Sequence, residues 1–486
     1  MPNSKKPSIT HQREQLNRDL MRAVITEPLL SNVKKETKKR HNIIVALNEQ
    51  YPDGIDAARE QVLGVLRDFD PKANGSHPSY VFANLTGEQI LQLAKDYAAY
   101  LTQANQRWAS PIYRIWEDPA IHACVTKSIA TVKADAAHQS FRALGGDITF
   151  AVLDSGIDGT HPHFKDVIGP VERKLSSDFL ADRDHYTDEF GHGTHVAGII
   201  SGSYTPKEPE AVVAVESMVE GSDDTEVHLE KLTGISGIAP QTRLVSLKIL
   251  DREGVGKTSE VLLAIEFIQK TNQYGRRLRI HGVNLSVGYE FNPRWFGCGQ
   301  SPLCVEVNRL VKAGVVVVVA AGNSGFSALG LTTAGTNELG YRALSINDPG
   351  NAELAITVGA THRDMPHTYG VSFFSSRGPT GDGRCKPDLV APGEKIVSCA
   401  AGSFREGYAA KLGKKQKVLY LDQSGTSMAA PHVSGAIAAF LSVRREFIGK
   451  PENVKELFLQ TAVNLNRDRS FQGHGLLDLL KALQSI

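Results

Sequence analysis

Five short apolar runs limit the possible fold of this chain more than any other feature of its sequence. Helical segments separate the runs, which cover residues 148–153, 244–250, 283–287, 315–320 and 354–358. They do not alternate apolar with polar residues, as is typical of strands that are buried on both faces. One intervening segment, residues 259–269, repeats its apolar residues on a single helical face. The sequence therefore predicts an α/β fold with a doubly wound, mostly parallel sheet, helices on both faces and a functional site at the carboxyl ends of the strands.

A smaller module precedes this domain. Its pattern predicts alternating strands and helices at residues 42–47, 55–69, 80–85, 87–101 and 112–116. We assign residues 42–124 to this small α+β domain, which contains no cluster of catalytic residue types. Residues 1–41 are rich in charged side chains and predict a solvated, partly helical arm. The large α/β domain is assigned to residues 125–486.

Two segments depart from the pattern of the large domain. Residues 203–233 carry eight acidic side chains against two lysines and predict a flexible acidic surface insertion. A carboxylate metal site is the alternative, although the segment lacks the alternating Asp/Asn spacing of a calcium loop. The second insertion, residues 289–303, is an aromatic loop that follows a predicted strand, so we expect it at the rim of the functional site.

The charge balance argues against two classes of partner. Lys plus Arg (54) nearly equal Asp plus Glu (53), and the net charge of +1 does not attract nucleic acid or anionic lipid. The basic start of the chain lacks the apolar core of a secretion signal, and no run approaches the roughly 18 apolar residues that span a bilayer. The sequence therefore predicts a cytoplasmic protein that binds neither nucleic acid nor membrane.

The cysteines do not indicate a disulfide scaffold. Five is an odd and sparse number for a chain of this length. Cys298 and Cys304 lie close enough in one loop to form a disulfide, but free thiols are expected in a reducing compartment. No cysteine lies beside a plausible base, so a thiol nucleophile is not expected.

Four motifs place chemically useful side chains where strands or helices meet loops. They are VLDSGID with Asp154, GHGTHVAG with His192, AAGNSG with Asn323 and GTSMAAPH with Ser427. A serine at a glycine turn that starts a helix has an exposed hydroxyl and an unpaired backbone N–H. Each residue also has a simpler explanation, namely a turn former, a zinc ligand, a left-handed turn residue or a helix N-cap. Chance does not readily bring all four motifs together in one chain.

These motifs resemble those of the subtilisin-like serine proteases. The chain order Asp, His, oxyanion Asn, Ser is that of the family, and the resemblance covers about residues 128–486. Further matches are FSSRGP, KPDLVAPG and GHGLLD at residues 374–379, 386–393 and 473–478. The expected lack of a secretion signal resembles the intracellular branch of the family, and residues 42–124 resemble its inhibitory and chaperoning propeptide.

The resemblance implies a role for each motif. Ser427 would attack the scissile carbonyl carbon, His192 would take and return the proton, and Asp154 would hold the imidazole. The Asn323 amide and the Ser427 backbone N–H would hold the oxyanion. Peptide substrate would lie as an added strand between two segments, which are Gly254, Val255 and Gly256 on one side and Ser286, Val287 and Gly288 on the other.

The resemblance also implies substrates and processing. We expect protein and peptide substrates with an apolar or aromatic residue before the cut bond, because Ser324 adds no charge beside Asn323. Self-cleavage is expected between residues 121 and 127, after which the N-terminal module would stay bound as an intramolecular inhibitor. The alternative is an uncut module that serves as a permanent cap or folding aid.

No cofactor is expected for the chemistry, and no metal ligand is assigned. Structural calcium is compatible with the resemblance, but the asparagine-rich turn of the usual calcium loop is absent from this sequence. Two alternatives to an endopeptidase stay open at this point. One is a non-catalytic binding protein with the same fold, which would be expected to lack at least one of the four motif residues. The other is an exopeptidase, which would need a block at one end of its groove.

Overall fold

The computed structural model divides the chain into two compact units, Met1–Ile121 and His122–Ile486. This division falls close to the domain boundary that the sequence predicts at residues 124 and 125. The residues that the structure describes are 24–75, 77–103, 110–117, 127–180, 186–218, 225–294, 296–331, 337–413 and 416–486.

The first unit is a three-stranded antiparallel sheet with helices packed on it. Its elements are α1 (Glu27–Lys35), β1 (Arg40–Leu47), α2 (Ile55–Phe69), β2 (Tyr80–Thr86), α3 (Gly87–Gln103) and β3 (Ile112–Glu117). The central strand is β1, which pairs with both β2 and β3. The predicted alternation of strands and helices is therefore observed, with α2 matching its predicted bounds.

The described part of the charged N-terminal arm differs from its prediction. Residues 1–23 lie outside the described residues, but α1 packs into the core of the first unit. Leu29, Leu30 and Val33 are buried in one cluster with apolar residues of α2, α3 and the sheet. The described part of the arm is therefore a structural element of this unit rather than a solvated extension. Its helical signal is weak in the sequence because two lysines and a short apolar face share nine residues.

The second unit begins with short helices and the first strands of three sheets. Its elements up to residue 248 are α4 (Lys127–Thr131), α5 (Ala134–Phe141), β4 (Thr149–Asp154), α6 (Pro170–Leu175), β5 (Ser177–Asp178), α7 (His192–Ile200), β6 (Ser203–Tyr204), β7 (Glu210–Met218), β8 (Thr225–Leu232), β9 (Ile235–Ser236) and β10 (Arg243–Lys248). The elements that follow are α8 (Thr258–Thr271), β11 (Gly282–Leu285), α9 (Pro302–Lys312), β12 (Val316–Ala320), β13 (Phe326–Leu331), β14 (Asn337–Tyr341), β15 (Ile356–Thr361), α10 (Pro366–Tyr369), β16 (Leu389–Pro392), β17 (Ile396–Cys399), α11 (Gly402–Leu412), β18 (Tyr420–Gln423), α12 (Thr426–Val443), α13 (Pro451–Thr461), α14 (Arg469–Gln472) and α15 (Leu479–Gln484).

A seven-stranded parallel sheet forms the centre of the described part of this unit, in the order β16-β15-β12-β11-β4-β10-β5. It contains all five predicted strands, so the predicted fold class is confirmed. Neighbouring residues of β4, and likewise of β12, pack into different hydrophobic clusters. Phe150 and Val318 belong to one cluster, and Ala151 and Val317 belong to another. The chain runs outward from β4 to β10 and then crosses back to β11 on the other side of β4. Such a switch point leaves a crevice at the carboxyl ends of the strands.

Helix α12 packs along one face of this sheet. Its sequence is long and apolar enough to cross a membrane, and it is the one helix of the described residues with that property. However, 83% of that stretch is buried inside the protein, in the same cluster as residues of β12 and β15. Its composition is therefore explained by its position in the core.

For the described residues 203–218 and 225–233, the prediction of a flexible acidic insertion is wrong. Strands β7 and β8 form an antiparallel hairpin, and β7 also pairs in parallel with β18. Val212, Val213 and Ala214 are buried, while acidic side chains of the same strand reach lysines at the surface. Glu216 pairs with Lys411 at 2.6 Å, and Glu210 lies 3.6 Å from Lys417. The five successive apolar residues 211–215 are flanked by acids on both sides, and these acids hid the strand in a segment that is otherwise strongly acidic.

We expect hydrogen exchange to distinguish this hairpin from a flexible loop. Amides of residues 210–216 should exchange at least about 100-fold more slowly than in an unstructured peptide, because the ladder holds them. Mass spectrometry on the Ser427→Ala chain, which avoids self-digestion, measures this. Val213→Asp, which places a carboxylate in the core, should remove the protection. Unprotected amides in the parent chain would contradict the hairpin.

Candidate active site

Three side chains meet at the carboxyl edge of the parallel sheet. Asp154 is the last residue of β4, His192 is the first residue of α7, and Ser427 lies in the first turn of α12. His192 Nδ1 lies 2.7 Å from Asp154 Oδ1. Asp154 is fully buried, whereas the side chain of His192 is 15% exposed. Since Asp154 occupies Nδ1, Nε2 is the ring nitrogen that can serve a partner in the cleft.

The hydroxyl group of Ser427 borders the same cleft as His192. In this structure Ser427 Oγ donates a hydrogen bond of 2.9 Å to the Ser286 carbonyl oxygen. The Ser286 hydroxyl in turn donates to the Ser427 carbonyl oxygen at 2.9 Å. These two hydrogen bonds hold Ser427 against Ser286, the residue that follows β11. The Ser427 Oγ is therefore turned toward Ser286 and not toward His192. A rotation about χ1 redirects Oγ, and hydrogen bonds between catalytic groups commonly tighten only when substrate binds.

A second buried carboxylate, Asp188, holds the start of α7. Its Oδ1 accepts from the Gly191 N–H at 2.7 Å and from the Ser155 hydroxyl at 2.8 Å. Its Oδ2 accepts from both the N–H and the hydroxyl of Thr194, at 2.8 and 2.6 Å. Burial raises the pKa of Asp188, and these hydrogen bonds oppose that rise. This anchor was missed in the sequence because an acid four residues before the histidine looks like any turn former.

Ser155 links the two carboxylates. Besides donating to Asp188, its hydroxyl accepts from the Gly193 N–H at 2.9 Å, and its own N–H donates to Asp154 Oδ1 at 2.8 Å. The end of β4 and the first turn of α7 are therefore joined directly. We infer from these contacts that the network fixes the distance between Asp154 and His192 before any substrate binds.

Burial and the neighbouring carboxylates have opposite effects on the pKa of His192. Burial disfavours the imidazolium, but the charge and hydrogen bond of Asp154, with a further contribution from Asp188, raise the pKa of His192 above its ordinary value. His195 lies one turn further along α7 without such a partner. Burial lowers its pKa to about 3. Of these two histidines, only His192 has a carboxylate partner that favours its protonated form.

Asn323 lies on the loop after β12, next to the start of α12. Its Oδ1 accepts from the Thr426 N–H at 2.9 Å and from the Thr426 hydroxyl at 3.1 Å. Because these donors fix the carbonyl side of the amide, its NH₂ group points the other way. Asn323 is exposed and lines the cleft together with Ser427. The first-turn N–H of Ser427 has no acceptor within its own helix, as expected for a helix start.

The two predicted substrate segments border one cleft of about 570 Å³. All six of their residues line it, with His192, Asn323 and Ser427 between them. Gly254 has a φ of +75°, and a Cβ there would lie 2.5 Å from the Phe190 ring, so this position requires glycine. The structure thus brings together every residue that the sequence assigned to the site.

Part of the lining of the cleft consists of apolar walls, and we call this part the pocket. Tyr289, Leu303 and Ala320 contribute to them, together with the neutral side chain of Asn347. Tyr289 begins the aromatic loop of residues 289–303, which therefore reaches the rim of the site as predicted. Asn347 lies on the connection between β14 and β15. It packs against Gly322, where a Cβ would lie 2.6 Å from its side chain.

A comparison with models of protein families shows which family the chain belongs to. The family model described as Subtilase family (Peptidase_S8) matches residues 145–475. The chain belongs to the subtilase family. This is a family of serine endopeptidases, and the matched range contains Asp154, His192, Asn323 and Ser427. The resemblance stated from the motifs is thereby confirmed at the level of the family.

Curated relatives agree with this assignment. Serine protease AprX of Bacillus subtilis (strain 168) is 30% identical over 318 residues, which cover 64% of this chain and 60% of AprX. Subtilisin E of the same organism is 29% identical over 360 residues, covering 74% of this chain and 71% of the relative. The Intracellular serine protease of Paenibacillus polymyxa is 29% identical over 362 residues, covering 73% and 85%. The chain thus spans about three fifths of AprX and more of the other two.

The raised pKa of His192 predicts the pH dependence of this subtilase. Only neutral imidazole can accept a proton, so kcat/KM should rise with pH through a midpoint above the ordinary histidine value of about 6.5. Asp154→Asn removes the charge that favours the imidazolium and should move the midpoint to lower pH, besides slowing the reaction. Peptide hydrolysis from about pH 5 to about pH 9 measures both midpoints. A wild-type midpoint at or below 6.5 would contradict this account of the site.

Proposed function

We propose that this protein hydrolyses peptide bonds through a covalent acyl-enzyme on Ser427. The observation that carries the proposal is the 2.7 Å contact between His192 and the buried Asp154, with Ser427 on the same cleft. Ser427 Oγ attacks the scissile carbonyl carbon while His192 Nε2 takes its proton. His192 then gives that proton to the leaving amine, and a water molecule repeats the sequence to release the acid product.

Asp154 has two tasks in this scheme. Its hydrogen bond to Nδ1 keeps the proton of neutral His192 on that nitrogen, so that Nε2 is free to act as the base. Its charge stabilises the imidazolium that forms when Ser427 loses its proton. Burial strengthens this effect, because water does not screen a carboxylate that is fully enclosed.

The oxyanion of the tetrahedral intermediate needs donors that are already in place. We assign this role to the Asn323 NH₂ group and the Ser427 backbone N–H. The two hydrogen bonds from Thr426 hold the Asn323 amide in one orientation, so little reorganisation is required when charge develops on the substrate oxygen. The proposed chemistry uses side chains and backbone amides alone. Structural calcium stays an unassigned prediction, and the described residues contain no group of three His, Cys, Asp or Glu side chains placed to hold a metal.

Substrate selection follows from the walls of the cleft. An extended peptide can add as a strand between residues 254–256 and 286–288, which places the cut by backbone hydrogen bonds. The residue before the cut bond then enters the pocket beside Asn323. Its walls of Tyr289, Leu303 and Ala320 favour an apolar or aromatic side chain there, as the sequence predicts.

Two substitutions test the assignments of nucleophile and oxyanion donor. Ser427→Ala should abolish hydrolysis of peptide substrates, and an unchanged circular dichroism spectrum would show that the fold is kept. Asn323→Ala should lower kcat by roughly 10²–10³ with little change in KM, which is the usual effect of losing one oxyanion donor. More than a trace of activity in the first variant would remove Ser427 as the nucleophile. An effect of the second on KM alone would make Asn323 a substrate-binding residue.

We also propose that the N-terminal unit is a propeptide that the enzyme cuts from itself. Support comes from its separate core and its own sheet, which make it a folded module. The expected cut between residues 121 and 127 falls largely outside the described residues. After cleavage the unit would act as an intramolecular inhibitor, held in the groove as a substrate-like strand.

Mass spectrometry of freshly expressed protein tests this processing. The wild type should give two fragments that meet between residues 121 and 127, and Ser427→Ala should give one intact chain. An intact chain in an active wild-type preparation would rule out obligatory self-processing. Cleavage that persists in Ser427→Ala would identify another protease as the cause.

We further propose that the protein acts in the cytoplasm on proteins and peptides, without nucleic acid or membrane partners. The described cysteines support this location, because Cys298, Cys304, Cys385 and Cys399 are all free thiols. Similarity to a relative named Intracellular serine protease supports it as well. The near-zero net charge gives no general attraction to polyanions.

A further inference from the structure

A carboxylate, that of Glu290, lies next to a residue that lines the cleft. Glu290 follows the substrate segment 286–288 on the aromatic loop. Its Oε1 accepts a hydrogen bond from the Ser324 hydroxyl at 3.1 Å. Ser324 follows Asn323 and lines the cleft, so the acid reaches the wall beside the oxyanion donor. Ser324 itself adds no charge beside Asn323, as expected, but an acid that is 34 positions away in the sequence approaches Ser324 in space.

A second charge accompanies this carboxylate. Arg342 Nη1 lies 3.3 Å from Glu290 Oε1. The backbone of Arg342 is fixed, since its N–H donates to the Gly325 carbonyl oxygen at 3.0 Å and its own carbonyl oxygen accepts from the Ser345 hydroxyl at 3.0 Å. Arg342 is thereby held beside the loop that carries Asn323 and Ser324. The carboxylate of Glu290 is partly neutralised by this guanidinium, whose backbone is held beside the same loop.

Both partners of this ion pair are accessible to water. The side chain of Glu290 is 62% exposed and that of Arg342 is 38% exposed. Exposed ion pairs are weak and are screened by salt. Glu290 can therefore exchange Arg342 for another cation at little cost, provided that the cation arrives at the same rim.

A lysine side chain on the substrate fits this arrangement. Its four-carbon stem can lie along the apolar walls of Tyr289, Leu303 and Ala320, while its ammonium group returns to the polar rim. A shorter or neutral side chain reaches the walls but leaves Glu290 with Arg342. Because arginine at position 342 competes for the same carboxylate, it should limit the gain that a lysine obtains.

We propose that Glu290 is a specificity-determining residue that favours lysine before the cut bond, and that Arg342 restrains this preference. This inference rests on the proposed peptidase function of the cleft and adds a charged preference to the apolar one. Opposite effects are expected from removing the two partners. Loss of the carboxylate removes the attraction, whereas loss of the guanidinium leaves the carboxylate unpaired and available to the substrate.

Two peptides that differ only in the residue before the cut bond test the proposal. One carries lysine and the other norleucine, which has the same stem without the ammonium group. The measurement is the ratio of kcat/KM for the lysine peptide to that for the norleucine peptide. Glu290→Gln should lower this ratio about threefold to tenfold, and Arg342→Met should raise it about twofold to fivefold, as expected for screened charges at an exposed rim. Both effects should shrink in about 0.5 M salt.

Asp147→Asn and Arg445→Met serve as matched controls. They break another exposed ion pair, and Asp147 lies just before β4, at the edge of the sheet opposite the cleft. Neither should change the ratio more than about 1.5-fold, because a distant exposed charge is screened by salt. An unchanged or higher ratio in Glu290→Gln, or a lower ratio in Arg342→Met, would overturn the proposal. Failure of the wild type to cut either peptide would instead reject the proposed function itself.

Discussion

The buried carboxylate of Asp154 is the constraint on which the site depends. A charge enclosed at the end of a central strand is costly unless donors surround it. Here the His192 ring and the Ser155 N–H supply those donors to Oδ1. The imidazole therefore serves the fold as well as the chemistry, because it donates to Oδ1 of a charge that the sheet has withdrawn from water, whereas Oδ2 has no hydrogen-bond partner among the described residues. The same contact raises the pKa of His192, so stability and reactivity are linked in one hydrogen bond.

Much of the fold could be predicted because its strongest signals are local. The strands of the parallel sheet are short runs buried on both faces, and α2 carries its apolar residues at regular helical spacing. The hairpin of β7 and β8 was missed since its partner, β18, lies far along the chain and its acids are satisfied by lysines from α11 and the segment after it. The packing of helix α1 into the core was missed for a related reason. Its apolar face is short, and it is buried only by core residues that come later in the sequence.

The residues of the site also fall into two groups, those that the sequence predicted and those that it did not. Asp154, His192, Asn323 and Ser427 each sit in a distinctive local motif, and the parallel sheet brings the ends of those motifs together. Asp188 and Glu290 have no such motif. The role of Asp188 is visible only from the four hydrogen bonds that it accepts. The role of Glu290 is visible only from its contact with a serine on another loop. Roles of this kind depend on tertiary contacts, which a single sequence does not display.

The pairing of β7 with β18 has a consequence for how the enzyme is made. Strand β18 leads directly into the turn that carries Ser427, and the Glu216 N–H donates to the Asp422 carboxylate across 206 positions of the chain. Contacts of such high sequence separation form slowly, since a long loop must close before they stabilise anything. During synthesis the first part of the catalytic unit emerges long before β18 exists. Ser427, the proposed nucleophile, is therefore among the last parts to be assembled, and on this proposal a growing chain has no protease activity while most of it is still unfolded and vulnerable to cleavage.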